Sequence, residues 1–255
     1  MTAQTLDPTS YDIPYATFTV EKTNVSYNTK TAWKLFRAHF EIDDAELRRY
    51  EVVIPGRDGK LDLSDALGGT YFENRNITMT FRCINYTSER FHLLASTIRN
   101  AIDGKNCRIV LSDDPAYYWS GRPQVEASWD GDKSDIVITT SVFPYKLSTV
   151  TSYEAWKWDP FSFVDGRITK QEDVVLENQT KSVYLPIDPA RGKVTLWLNN
   201  GEVSARMYAY GDYTWYQLKS GANTIPTIRL SDEKRVYLYL RGTGSVGVEY
   251  RLGSL

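Results

Sequence analysis

At 255 residues the chain exceeds the usual size of one domain, so two domains of about 100 to 150 residues are expected. Hydrophobic residues at 42% with charged residues at 24% exclude a disordered chain, and a formal net charge of −2 with no Lys/Arg cluster excludes a dedicated nucleic-acid binder. Aromatic residues reach 13%, with 18 Tyr and 7 Trp, which favours β-structure and adhesive surfaces.

The first residues, MTAQTLDPTSYDIPYATF, have neither a basic n-region nor an apolar stretch of signal-peptide length, and no later segment has the roughly 18 apolar residues of a membrane span. Synthesis in the cytosol without membrane insertion is therefore expected. Cys83 and Cys107 have no metal-ligand spacing and read as two buried free thiols.

In chain order, residues 1 to 14 read as an irregular arm, followed by strand positions at Phe18 and Val20. From Thr31 to Ile42, Trp33, Leu35, His39 and Glu41 fall on one parity and Phe36, Ala38, Phe40 and Ile42 on the other, so a strand covered on both faces is expected. The stretch from Val52 to Phe81 holds most of the turn chemistry. Val52, Val53 and Ile54 form an apolar strand, and Pro55-Gly56-Arg57-Asp58-Gly59 reverses the chain, because proline fixes φ and glycine accepts positive φ. Leu61 and Leu63 alternate around Asp62, Gly68-Gly69 breaks the chain again, and Asn74-Arg75 lead into a strand with Ile77, Met79 and Phe81 on one face and Thr78, Thr80 and Arg82 on the other.

Between Thr87 and Asp103 the period changes. Phe91, Leu94, Ala95, Ile98 and Ile102 make one apolar stripe of a helix capped by Thr87 or Ser88 and stopped at Gly104, with Arg90, Thr97, Arg99 and Asn100 on the other face, either solvated or at a joint between subunits. Strand character returns at Arg108 to Ser112, and Asp113-Asp114-Pro115 reads as a turn. Tyr117, Tyr118 and Trp119 are consecutive, so in an extended chain they cannot share one core face. A last hairpin joins Val125, Ala127 and Trp129 to Ile136, Ile138, Thr140 and Val142 through Asp130-Gly131-Asp132-Lys133. This divides the chain into an N-terminal domain over 1–145, an aromatic-rich junction over 146–170 with Trp156, Trp158, Phe161 and Phe163, and a C-terminal domain over 171–255.

The C-terminal part reads as eight short strands, Val174–Leu176, Val183–Leu185, Lys193–Leu198, Val203–Tyr210, Thr214–Leu218, Asn223–Leu230, Arg235–Leu240 and Val246–Leu252, the pattern of a jelly-roll β-sandwich. Aliphatic positions face its core, and Trp197, Tyr208, Tyr210, Trp215, Tyr237 and Tyr239 line the other face, where they could stack on sugar rings or meet another protein.

No chemistry of catalysis stands out. His39 and His92 belong to no nucleophile motif, and no G-x-S-x-G, P-loop, HExxH or zinc spacing occurs. Asp58, Asp62 and Asp65 depart from the spacing of a calcium loop and lack its terminal Glu. A protein with no enzymatic activity, no cofactor and no metal is expected.

IPGRDGKLDLSDALGG with Tyr71-Phe72 and Asn74-Arg75, followed in order by Asp103-Gly104-Lys105, Asp113-Asp114-Pro115-Ala116-Tyr117-Tyr118, Gly121-Arg122 and Phe143-Pro144-Tyr145, resembles the N-terminal domain of the distal tail protein (Dit) family of long, non-contractile-tailed bacteriophages. The resemblance covers about the first 145 residues. It implies a mainly β virion protein: a β-rich ring domain with one helix, then a galectin-like or carbohydrate-module-like sandwich. Six copies would form a ring at the tail tip or baseplate, between the tail tube protein and a tail-tip hub protein, with receptor-binding or baseplate proteins docked nearby. DNA would pass through the lumen without specific contact. On this reading Pro55, Gly56, Arg57, Asp58, Gly59, Asp62, Asn74 and Arg75 form the structural motif of the ring domain. A carbohydrate-binding role for the second domain is the alternative.

Overall fold

The computed structural model describes residues 14–35, 37–64, 71–131, 134–152, 161–162, 167–168, 173–185, 192–207, 214–224 and 236–255. Nearly every element is a strand. The chain divides into two compact units, one of residues 1–46 and 73–146, the other of 47–72 and 147–255.

In the first unit, β1 (Ala16–Val20), β2 (Val25–Asn28), β3 (Arg37–Ile42), β6 (Arg75–Cys83), β7 (Cys107–Leu111), β8 (Asp114–Ser128) and β9 (Ser134–Val142) form an antiparallel sheet ordered β2-β1-β7-β8-β9-β6-β3. Two further strands, β4 (Glu51–Val53) and β5 (Lys60–Asp62), belong to the other unit, although they precede β6 in the chain, and pair with each other as a separate hairpin. Alternation sets the inward face. Ile77, Met79 and Phe81 of β6 are fully buried and lie opposite Thr140, Ile138 and Ile136 of β9. Thr78, Thr80 and Arg82 point the other way, as a period of two requires. Cys83 and Cys107 are buried free thiols, and loss of hydration on burial pushes each up to about 11, so neither carries the thiolate needed for reactivity.

The helix expected from the 3.6-residue period is α1, Ser88–Ile102. Phe91, Ala95, Ile98 and Ile102 are buried, while Leu94 is partly buried and Ala101 joins the buried set. Thr87 is its N-cap, and the Thr87 hydroxyl accepts from the Arg90 amide at 3.4 Å. Gly104 stops the helix at φ +65, a conformation that costs glycine little. The helix end is tied to β8: the Asp103 carboxylate accepts from the Val125 amide at 2.9 Å, and Arg99 donates to the Val125 carbonyl at 3.2 Å. Arg99 is therefore more than a solvated side chain. Thr87→Ala is expected to cost about 1 kcal/mol of stability. Chemical unfolding of both proteins checks this.

The strand expected from Thr31 is shorter. Residues 31–33 turn instead, and Trp33 and Leu35 are buried at 5% and 2% exposure by folding back, with Trp33 stacked on Tyr27 at 5.6 Å. Period alone cannot distinguish a covered strand from a buried turn. The β7–β8 turn is also tighter than expected: Leu111 pairs with Asp114, so Ser112 and Asp113 make the reversal and Pro115 lies on the strand. Tyr118 and Trp119 are both buried although adjacent, and thus stand on opposite faces of β8.

In the second unit β10 (Lys146–Ser148), β11 (Phe161–Ser162) and β12 (Arg167–Ile168) precede the main sheet. Trp156, Trp158 and Phe163 of the expected aromatic junction lie outside the described residues. The main strands are β13 (Val174–Leu185), β14 (Lys193–Met207), β15 (Tyr216–Gln217), β16 (Gly221–Asn223) and β17 (Val236–Arg251), with β18 (Gly253–Ser254) last. Their order is β13-β17-β14-β15, and β16 also pairs with β14.

Six of the eight expected short strands are halves of three long ones. The Asn and Gly signals inside them mark bulges, not turns. Register shifts between Glu177 and Gln179 in β13, and between Leu198 and Asn200 in β14, each add one residue opposite an unbroken β17. The buried parity flips accordingly, from Leu176 to Val183 and Leu185, and from Val194, Leu196 and Leu198 to Val203, Ala205 and Met207. In β17 it does not flip: Leu238, Leu240, Val246, Val248 and Tyr250 keep one parity. Both halves of every long strand therefore line one apolar core.

Candidate functional site

Two surfaces take up the residues singled out in the sequence. The first is the β4–β5 hairpin, with Val52 opposite Leu61 and Val53 opposite Lys60. Arg57 donates its amide to the Ile54 carbonyl at 3.2 Å across Pro55-Gly56, with Gly56 at φ +83. That is a type II turn, which needs positive φ at its third residue. Gly59 takes φ +74 before β5 begins, so Arg57 and Asp58 stand in a six-residue loop at the tip.

The base of the hairpin is closed by Asp62. Its carboxylate accepts from the Ser64 amide at 2.9 Å and from the Ser64 hydroxyl at 2.5 Å, and the same hydroxyl oxygen accepts from the Tyr50 amide at 2.9 Å. The Ser64 donors, with Arg49 adding a smaller attraction, hold the Asp62 carboxyl below its ordinary range. A depressed folded value means the carboxylate supports the closed form above the unfolded value near 3.8, and that support is lost as pH falls through the lower folded value. Acidification below about pH 4 should therefore speed amide exchange at Ser64 and Tyr50 relative to the β6–β9 ladder. Asp62→Ala should do the same at pH 7.

The hairpin is amphipathic. Tyr50, Val52, Ile54, Leu61 and Leu63 fall on one face by alternation, whereas Glu51, Val53, Lys60 and Asp62 fall on the other, where Lys60 and Glu51 pair at 2.8 Å. Tyr50 is 59% exposed, and Val52 and Ile54 are more than one-third exposed. The apolar strand expected at Val52 is thus present but is not part of a core, and among the described residues neither outer edge of the hairpin carries another strand.

Asn74 and Arg75 are far from the hairpin in role. Arg75 donates Nε and Nη2 to the Pro144 carbonyl at 3.0 and 2.5 Å, and its guanidinium lies 4.7 Å from the centre of the Trp119 ring. Burial lowers its pKa, yet it remains a cation that pins the start of β6 to the end of the β9 segment. Asn74 borders a polar concavity of about 560 Å³ on the sheet face opposite the core, with Asn76, Ser120, Arg122, Gln124 and Ser141. Gly121 borders it too, and a Cβ there would meet the Ser141 carbonyl oxygen and Thr140.

The second surface is on the β13–β17–β14 sheet. The structure separates the aromatic residues that the sequence groups together. Trp197 donates Nε1 to Glu249 at 2.8 Å, and Glu249 pairs with Arg251 at 3.2 Å. Beyond the bulges, Arg206 lies over Trp215 at 4.8 Å and over Tyr239 at 5.3 Å, while Arg241 approaches Trp215 at 5.8 Å. Tyr237 sits against Tyr184 at 5.8 Å. Tyr208 and Tyr210 lie outside the described residues. Tyr184, Arg206, Arg241 and Glu249 escaped sequence reasoning; alternation puts them on the outward faces, but only the register brings them beside the aromatics.

His39 and Glu41 approach at 3.6 Å on an exposed strand, and His92 lies against Phe91 and Trp129. Among the described residues no three His, Cys, Asp or Glu side chains gather as a metal site.

No family model matches the chain, and no curated protein matches it by sequence. Among solved structures it is similar to the crystal structure of the Dit protein (gp 19.1) of SPP1, described as a paradigm of the hub adsorption apparatus in phages infecting Gram-positive bacteria. The TM-score is 0.51 at 12% identity, covering 95% of this chain and 100% of that one. At that identity the likeness concerns fold: the chain is mainly β with a Dit-like fold.

Proposed function

We propose that this chain is a structural subunit of a phage tail tip, a distal tail protein that closes into a hexameric ring between the tail tube and the host-adhesion device. The observation that carries the assembly step is the β4–β5 hairpin, an amphipathic pair of strands with an exposed apolar face and, among the described residues, no further strand on either edge. A two-stranded hairpin is marginal alone, and open edges recruit partners. In a ring each subunit presents two different patches, so the hairpin of one copy meets another patch of the next, and closure leaves no unused contact. The Dit-like fold supplies the tail-tip context.

In this reading residues 1–145 form the ring domain, 146–170 the junction and 171–255 a galectin-like outer domain. The tail tube protein and a tail-tip hub protein meet opposite ring faces, receptor-binding or baseplate proteins dock outside, and DNA passes through the lumen without specific contact. The role is assembly without catalysis. Light scattering on the purified protein tests it: a species near six times 29.2 kDa is expected, and a strict monomer at high concentration, with no sixfold particles in electron micrographs, refutes the ring.

A further inference from the structure

Alternation along β17 buries Val246, Val248 and Tyr250 and turns Ser245, Gly247 and Glu249 to the outer face, which Trp197 shares on β14. The register partners of Trp197 are Gly247 on β17 and Ala222 on β16, and neither has a side chain that can cover an indole. Trp197 donates Nε1 to Glu249, two residues beyond Gly247, so the ring leans across β17. Gly247 is buried although it carries no side chain, as a glycine beneath an aromatic cross-strand partner is. The platform is held from both sides: Arg251 pairs with Glu249 at 3.2 Å, and Asn223 ties the β16 turn by donating Nδ2 to the Lys219 and Gly221 carbonyls at 2.7 and 2.8 Å. With the N–H given to Glu249, the exposed part of Trp197, 37%, is chiefly ring carbon. Its surroundings are polar. Thr195 is the direct partner of Glu249, and Asn199 donates Nδ2 to Asp173 at 2.9 Å. A protein contact gathers several apolar side chains and excludes charge from its centre, whereas here a single ring stands among carboxylate, amide and hydroxyl groups.

We propose that Trp197 is the stacking platform for a neutral polysaccharide whose pyranose rings carry their hydroxyls equatorially. Such a ring is a disc with C–H faces and a hydroxyl edge, and it matches an open indole with a polar border. The indole takes one C–H face. The Glu249 carboxylate, whose two oxygens offer about four lone-pair sites, accepts from a sugar hydroxyl in addition to Trp197 and Arg251. Glu249 and Asp173 together disfavour an anionic sugar. The site needs only one subunit, so it is independent of ring assembly.

Saturation-transfer NMR on the full-length protein tests it with cellohexaose as the probe. The expected result is transfer to the C–H protons of the glucose rings. Cellohexaose oxidised to a carboxylate at every C6, which has the same rings with charge added, should bind about tenfold or more weakly at low salt and regain affinity as salt is added. Trp197→Ala should weaken cellohexaose binding about tenfold or more, and Trp197→Phe, which restores a ring, should bind more tightly than Trp197→Ala. Absence of transfer to cellohexaose, equal binding of the oxidised form, a Trp197→Ala protein with parental affinity, or a Trp197→Phe protein no better than Trp197→Ala would each overturn the assignment. A Trp197→Ala protein that loses light-scattering mass while keeping its cellohexaose affinity would assign the indole to a protein contact instead.

Discussion

Gly201→Ala is expected to cost the second unit about 4 kcal/mol or more and to lower its melting temperature by more than about 10 °C, placing it among the exceptional single substitutions. Gly201 lies at the β14 bulge with φ +82, and a Cβ there would meet the Thr243 carbonyl oxygen and the Gly244 Cα at 2.7 Å. Both obstacles are backbone atoms of a paired strand. Relief requires β14 and β17 to move apart where their register changes, which breaks ladder hydrogen bonds on both sides of the bend. The left-handed conformation alone accounts for only about 1–2 kcal/mol. Gly221→Ala separates the two effects, because Gly221 has φ +89 and no atom within 4 Å of its Cβ position. Its expected cost is about 1 kcal/mol. Thermal and urea unfolding of the two variants decide the matter: equal losses would mean that backbone strain, not the close approach, is the whole effect.

The second large effect concerns assembly. Val52→Asp and Ile54→Asp put charge on the apolar face of the β4–β5 hairpin, while Val53→Asp puts the same charge on the opposite face, where Val53 is 69% exposed. Fully burying one such side chain is worth about 1.5–3 kcal/mol, and burying an unpaired carboxylate costs more than that gain. A ring repeats the change at every joint. Val52→Asp and Ile54→Asp should therefore reduce the light-scattering mass to that of one 29.2 kDa chain, with circular dichroism and melting temperature close to the parent, and Val53→Asp should still assemble. Persistent hexamers with aspartate at position 52 or 54, or equal disruption by Val53→Asp, would show that the hairpin is not the contact.

Sequence patterns reach these conclusions unequally. The helix was legible because four signals agree: the apolar stripe of Phe91, Ile98 and Ile102, the Thr87 cap, Glu89 in the first turn and Gly104 at the stop. The β6 alternation and the glycine turn at Gly56 were legible for the same reason, since each depends on residues only a few positions apart. Trp33 was misread as a strand residue because burial by a turn and burial by a sheet leave the same apolar residue.

By itself the sequence determined the mainly β class, the helix over 88–102, the inward and outward positions within each regular stretch of strand and the turn at Pro55-Gly56, all consequences of local sterics and of periods of 2 and 3.6 residues. Only the tertiary structure decided that Gly201, Gly242 and Gly244 lie within long strands, that the Val52 strand remains exposed, and that Arg206 and Arg241 meet at Trp215. These outcomes depend on which strands pair and in what register, and such contacts join residues tens of positions apart that no local pattern can relate.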